Sequence, residues 1–273
     1  MSTYQTVLLD IRDNAAYVTF NRPEKRNCMS PTLHAEMCKV LDEIEKARCK
    51  VIVLTGSGDA FCAGMDLEQC FLEPFDKPEL MAEINKNAFG WFTRIKKISA
   101  VTIGKVNGWC FGGGMALAGV LDIVIAADES TWGLSEINFG IFPGGGTTWA
   151  YANNMPSRKK ALYYALTGET FTGKQAHDLG YATKSVPLAQ LDAETDRVVK
   201  MLTRLGRVVL GKTKEVYEKV LDMDFEAAID YEMAKMWELS RETNDDWVRT
   251  ALVSFKKREF KPGLQSYELK RDV

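Results

Sequence analysis

The sequence predicts an α/β fold that gives way to helices in its last third. Three observations predict it. A continuous apolar run at residues 51–55 suits a strand buried on both faces, as in a sheet covered by helices, and residues 100–106 and 122–127 read as similar strands. A strand–strand–helix rhythm recurs weakly from residue 7 to about 155. From about residue 156 the apolar spacing becomes helical.

The elements follow in order. Residues 16–20 (AYVTF) read as a strand, ended by the turn Asn21-Arg22-Pro23. Ser30 and Pro31 open a helix, a capping hydroxyl followed by proline at the first helical position. Leu33, Met37, Leu41 and Ile44 give that helix one apolar face. Gly56-Ser57-Gly58 stops the 51–55 strand. Three glycines, 112–114, precede a helix-compatible Met115-Ala116-Leu117-Ala118. Helices are expected over 158–166 and 173–179, at least once within 192–220, and over 225–240 and 244–257.

Composition narrows the function. The 273 residues allow one large domain or a domain with an appendage. With 46% apolar and 26% charged residues, the chain is not of a disordered, collagenous or disulfide-scaffold type. No apolar run reaches the roughly 18 residues of a membrane span, and the first residues carry no basic, then apolar, signal pattern. A net charge of 35 − 37 = −2 argues against nucleic acid as the main partner. Six cysteines without a CxxC pair, and only His34 and His177, predict reduced thiols in a cytoplasmic protein with no metal site. So few histidines also disfavour a Ser-His-Asp or Cys-His enzyme. Both are expected at the surface.

Three motif matches are discounted. Residues 206–213 (GRVVLGKT) fit GxxxxGK[ST], but a helical stretch precedes them and bulky Val and Leu fill the loop. Ser157 to Lys160 fits SxxK without its companion motifs. Gly56-Ser57-Gly58 has Phe61 where a dinucleotide fingerprint wants glycine.

Three other segments can act together: 61–67 (FCAGMDL), 107–114 (NGWCFGGG) and 133–141 (GLSEINFGI), the last followed by Phe142-Pro143-Gly144-Gly145-Gly146. Glycines before a helix admit a ligand close to the backbone and leave the first helical N–H groups free to hold a negatively charged oxygen. The Gly64-Met65 turn can supply the second donor that an oxyanion hole needs. The same glycines also suit tight helix packing. Glu136 lies among Leu134, Ile137 and Phe139, where desolvation raises a carboxyl's pKa toward values useful for proton transfer. A surface or helix-capping glutamate is the alternative.

Taken together, the chain resembles the enoyl-CoA hydratase/isomerase (crotonase) superfamily over nearly its whole length. The resemblance runs through 21–27 (NRPEKRN), 63–67 (AGMDL), Asn107-Gly108 with Gly112 to Gly114, 122–126 (DIVIA), and Thr167-Gly168 with Ala176 and Gly180. Residues 30–33 (SPTL), 107–114, 133–138 and 261–267 (KPGLQSY) are similar to the hydroxycinnamoyl-CoA hydratase-lyase group within it.

That resemblance implies an α/β spiral of ββα turns over 1–195 and a helical oligomerisation region over 196–273, forming a trimer or a dimer of trimers. It implies a thioester carbonyl held by the Met65 and Gly113 amides, with no cofactor beyond the coenzyme A of the substrate itself. Typical hydratases have two glutamates. Here the first position is Ala116, and Glu136 is left as the single acid/base, as in the hydratase-lyases. Lyase tyrosines that bind a phenolic hydroxyl fall on Cys70 and on Met233, beside Tyr231.

The remaining expected substrate contacts are Ala63, Asp66, Leu67, Trp109, Gly112 and Trp132. Phe71, Trp91, Phe92, Trp132 and Phe142 are candidates either for an aromatic pocket or for ordinary core. Lys25 and Arg26 are placed near the coenzyme A phosphates or in a solvated turn, and Lys256, Lys257 and Arg258 are alternatives for the phosphates. The expected reaction is hydration of an aryl-propenoyl-CoA such as feruloyl- or 4-coumaroyl-CoA, then cleavage to an aromatic aldehyde and acetyl-CoA. The competing readings are a hydratase or double-bond isomerase on another acyl-CoA, and a coenzyme A-binding relative without activity.

Overall fold

The computed structural model describes residues 2–259 and 261–263; Leu264 to Tyr267 of the expected tail motif lie outside the described residues. The chain opens with β1 (Ser2–Thr3), β2 (Val7–Arg12), β3 (Ala15–Phe20) and α1 (Pro31–Lys46). Ser30 caps α1, its side chain accepting from the Leu33 N–H at 3.2 Å. Leu33, Met37, Leu41 and Ile44 are buried as expected.

Three strand pairs follow. They are β4 (Val51–Gly56) with β5 (Ala60–Cys62), β6 (Val101–Val106) with β7 (Trp109–Phe111), and β8 (Ile123–Ala127) with β9 (Thr131–Gly133). The helix α2 (Pro78–Lys97) follows the first pair, α3 (Gly113–Val120) the second and α4 (Thr147–Asn154) the third. Each pair divides itself between two sheets. β4, β6 and β8 join a seven-stranded sheet of order β1-β2-β3-β4-β6-β8-β11, where β11 is Lys184–Val186. β5, β7 and β9 run parallel in a four-stranded sheet, closed by the antiparallel β10 (Phe171–Thr172). This is a ββα spiral, and β4, β6 and β8 in the large sheet are the strands expected from the sequence, each buried at all but one position.

The rest is helical: α5 (Arg158–Thr167), α6 (Gly173–Asp178), α7 (Leu188–Thr203), α8 (Arg207–Val220), α9 (Phe225–Thr243) and α10 (Val253–Lys256). Expected helix 244–257 is in fact a π turn (Val248–Leu252) leading into α10. Gly206 of the discounted phosphate-loop match is the residue before α8, and Gly211 lies inside the helix. α7 crosses the boundary expected at 195/196; its Leu191 and Val199 are buried with Val51 and Val53 of the sheet.

Two asparagines tie the loops that carry the site. Asn27 is fully buried; its Nδ2 donates to the Ser57 and Ala60 carbonyls, both at 2.8 Å, while its Oδ1 accepts from the Arg22 N–H at 2.9 Å. Asn107 Nδ2 donates to the Gly56 and Gly58 carbonyls at 3.0 Å. Every hydrogen-bonding group of Asn27 thus works on a turn, which satisfies backbone atoms that burial would otherwise leave unpaired.

One expectation is overturned. His34 is fully buried rather than at the surface, because it shares the inner face of α1 with Leu33 and Met37. Its Nδ1 accepts a hydrogen bond from the Trp91 indole of α2 at 2.9 Å. Burial pushes the imidazole down to about 4, so it is neutral at pH 7. His177 is exposed.

Candidate active site

The topology explains why three distant segments meet. β5, β7 and β9 are parallel neighbours, paired Cys62↔Cys110, Cys110↔Trp132 and Phe111↔Gly133. Their carboxyl ends therefore lie at one edge, where ligands bind in parallel sheets. The chain leaves those ends as Ala63-Gly64-Met65, Gly112-Gly113 and Leu134-Ser135-Glu136.

The first turn is held from outside. Met29 N–H donates to the Gly64 carbonyl at 2.8 Å, and Asp66 N–H donates to the Met29 carbonyl at 2.9 Å. Extended backbone alternates direction, so the Met65 N–H points away from Met29. On that side lies the second turn. A side chain built on Gly64 would come within 3.2 Å of the Gly113 nitrogen, and one on Gly113 within 3.6 Å of Met65 Cγ. Gly113 is the first residue of α3, where an N–H has no partner within the helix. Neither the Met65 nor the Gly113 N–H has a hydrogen-bond acceptor among the described residues. Both residues are partly exposed, whereas Gly64, Gly112 and Gly114 around them are buried.

Glycine is required here for closeness. Gly112 has φ +47°, and a side chain on it would meet Glu136 Oε1 at 3.3 Å. One on Gly114 would lie 2.2 Å from the Cys62 carbonyl oxygen. These contacts bring the third segment in: the Glu136 carboxyl sits directly over Gly112, one residue from the Gly113 amide. Burial pushes the Glu136 carboxyl above its ordinary range. Its Oε2 is buried without a hydrogen-bond partner among the described residues. Two amides and a desolvated carboxyl thus face one small volume. The amides can hold a developing oxyanion while the carboxyl moves protons on adjacent atoms.

The other expected residues divide. Arg26 stacks over the Trp109 ring at 4.3 Å, and Trp109 lies 5.1 Å from Phe111, which walls the site on the β7 side. Lys25 and Arg26 are exposed beside it, and the Ala63 N–H is held by the Arg26 carbonyl at 3.0 Å. Leu67 is exposed. Asp66 is buried and has a structural task. Burial opposes its charge, but the Gln69 N–H at 3.2 Å and the Arg22 guanidinium at 3.0 Å outweigh that and hold the carboxyl below its ordinary range.

Cys70 is buried with its thiol toward the Met29 carbonyl, and burial raises it to about 12. Ala116 is buried on α3. Trp132 has no exposed surface; its indole donates to Ser130 Oγ at 2.7 Å and stacks with Phe171, so it belongs to the core. Trp91 is core as well, while Phe71 and Phe142 are exposed. Tyr231 and Met233 lie on α9, away from these three segments in sequence and packed with α8. Tyr231 Oη bonds Glu215 Oε1 at 3.2 Å, and Met233 is half exposed. Sequence reasoning missed Met29, which anchors the Met65 turn through backbone atoms that no side-chain type advertises.

Among the described residues no group of acidic, histidine or cysteine side chains is arranged to hold a metal, and no helix is long and apolar enough to cross a membrane. All six cysteines are free.

Known proteins similar to this chain are numerous. The enoyl-CoA hydratase/isomerase family description matches residues 10–266. The chain is 41% identical over 276 residues to the hydroxycinnamoyl-CoA hydratase-lyase of Pseudomonas fluorescens, covering 98% of this chain and all of that one. It is 28% identical to a probable mitochondrial enoyl-CoA hydratase of Dictyostelium discoideum over 79% of this chain and 76% of that one. Among solved structures, an enoyl-CoA hydratase of Mycobacterium smegmatis superposes with a TM-score of 0.85 at 24% identity, covering 93% of this chain and 96% of that one. With the family description matched over residues 10–266 and a relative 41% identical over nearly the whole chain, the chain belongs to the enoyl-CoA hydratase/isomerase (crotonase) superfamily.

Proposed function

We propose that this enzyme hydrates an aryl-propenoyl-CoA thioester, feruloyl- or 4-coumaroyl-CoA, and cleaves the product to an aromatic aldehyde and acetyl-CoA. The observation that carries the reading is the single carboxyl, Glu136, over a pair of backbone amides. Ionised Glu136 takes a proton from water as the water oxygen bonds Cβ. The alkene electrons move toward the thioester, whose oxygen becomes an enolate held by Met65 and Gly113. The carboxyl then returns the proton to Cα. In the second half it accepts the β-hydroxyl proton while the Cα–Cβ bond breaks. An aldehyde leaves, and the acetyl-CoA enolate on the same amides regains a proton at Cα from Glu136. Each amide donor is worth about 3 kcal/mol in the transition state. Coenzyme A enters and leaves as part of substrate and product, so the scheme uses no resident cofactor or metal.

Likeness to the Pseudomonas enzyme supports the aromatic acyl group. A second reading, a hydratase or Δ3-Δ2 isomerase on another acyl-CoA, draws on Cys70 and Met233, which supply no phenol partner, and on Tyr231, which is engaged with Glu215. Incubation with feruloyl-CoA separates them. Equal release of vanillin and acetyl-CoA supports cleavage, and accumulation of the β-hydroxy thioester supports the second reading.

We further propose a homotrimer or dimer of trimers. Large apolar side chains exposed on α8 to α10, among them Phe225, Met236, Trp237 and Phe255, would gain from burial between subunits. Reduced cysteines fit a cytoplasmic location. We also propose that Lys25 and Arg26, exposed beside Trp109, meet the coenzyme A phosphates.

A further inference from the structure

A cation behind the Met65 turn is not used by the proposed scheme. Arg22 Nη1 donates to the Cys28 carbonyl at 2.9 Å. That carbonyl and the Met29 N–H belong to one planar trans peptide unit, so they point in opposite directions. The Met29 N–H donates in turn to the Gly64 carbonyl at 2.8 Å. The Gly64 carbonyl and the Met65 N–H form a second such unit, again oppositely directed. The order is therefore guanidinium, peptide 28–29, peptide 64–65, and last the Met65 N–H that faces the site. Gly64 has φ +97°, a conformation that leaves the second unit free to turn unless its carbonyl is held. Met29 and Met65 meet as an isolated parallel bridge, which takes its rigidity from its surroundings. Arg22 supplies it: the same Nη1 also reaches Asp66 Oδ2 at 3.0 Å, so one nitrogen ties the residue before Met29 to the residue after Met65. The Arg22 and Asp66 side chains are 13% and 7% exposed, where a charge-assisted hydrogen bond is stronger than at the open surface.

We propose that Arg22 is a positioning residue for the oxyanion site. It fixes the plane of the Gly64–Met65 peptide and strengthens the Met65 N–H as a donor through two hydrogen-bonded peptide units. Hydrogen bonds in series polarise one another, and here every link runs in the same sense, from the cation toward the substrate oxygen.

This inference rests on the reading of the Met65 amide as an oxyanion donor, so the experiment reports on both. Arg22→Met keeps the apolar stem and removes the cation. With feruloyl-CoA it is expected to lose about tenfold or more in kcat with KM nearly unchanged. Arg22→Lys, which keeps a cation, should recover part of that loss. The second readout is the absorption of feruloyl-CoA bound to Glu136→Gln. Donors on the thioester oxygen draw the conjugated electrons toward it, so the bound band should lie at longer wavelength than the free one. Adding Arg22→Met should shrink that shift at saturating ligand, whereas a loss of stability alone would not move it. An undiminished shift overturns the role of Arg22, whatever happens to kcat. No shift in Glu136→Gln itself overturns the amide reading beneath it. Should Arg22→Met fail to fold, Arg22→Gln keeps a polar, uncharged side chain. Its shift should also be smaller, and one equal to that of Glu136→Gln alone overturns the proposal.

Discussion

Gly114→Ala tests how the site is held together. Gly114 is not a ligand of the reaction; it lets α3 approach the Cys62–Gly64 turn. The added methyl would lie 2.2 Å from the Cys62 carbonyl oxygen and 3.1 Å from its Cβ, where ordinary contact begins at 3.4 Å. Backbone blocks the way, so α3 and the turn must separate by about 1 Å. That displacement parts the Gly113 amide from the Met65 amide. Misplacement on this scale costs about 100-fold in rate, and the overpacking costs about 1–3 kcal/mol of stability. Steady-state turnover of feruloyl-CoA and chemical denaturation measure the two. Gly90→Ala in α2 is the control, since a side chain there meets nothing within 4 Å. It should leave activity unchanged and stabilise the helix by about 0.5–1 kcal/mol. A Gly114→Ala enzyme with near-normal kcat would refute the claim that this contact sets the spacing of the amides.

Other expectations concern proton chemistry and stability. The acid limb of kcat/KM should lie above the ordinary glutamate range, because burial raises Glu136 and the scheme starts from its ionised form; a limb within that range would contradict it. His34 is lowered from 6.5 to about 4, so its contribution is complete above pH 6.5 and is lost as pH falls toward 4. Stability should drop by about 2 kcal/mol between pH 7 and pH 5, and His34→Gln should lose that part of the slope; denaturation at both pH values decides it. Asn27→Ala leaves the Arg22 N–H and two carbonyls without their partner and should cost about 3 kcal/mol in urea denaturation. A loss below about 1 kcal/mol would show that Asn27 is not the tie described.

Much of this architecture was legible in the chain because it is written in local signals. Runs of apolar residues mark strands buried on both faces, and Ser30-Pro31 marks the start of α1. Three glycines mark the close approach at Gly112 to Gly114. Where partners are remote, the same signals mislead. His34 has the polarity of a surface residue, and only Trp91, in a helix that sequence reasoning did not outline, explains its burial. The buried positions of α2, Ile84, Ala88, Trp91 and Ile95, do follow a helical period, but charged residues interleave them. Trp132 could be assigned to pocket or core from its aromatic character, and Ser130 and Phe171 decide for core. The convergence of Met65, Gly113 and Glu136 depends on β5, β7 and β9 being parallel neighbours, a topological fact that no single segment contains.

The most direct measurement is a crystal structure of Glu136→Gln with feruloyl-CoA bound. The thioester oxygen should accept from both the Met65 and Gly113 amides at about 2.7–3.1 Å, with residue 136 over the Cα–Cβ bond. A thioester seated elsewhere, or held by only one of these amides, would contradict the arrangement from which the chemistry follows.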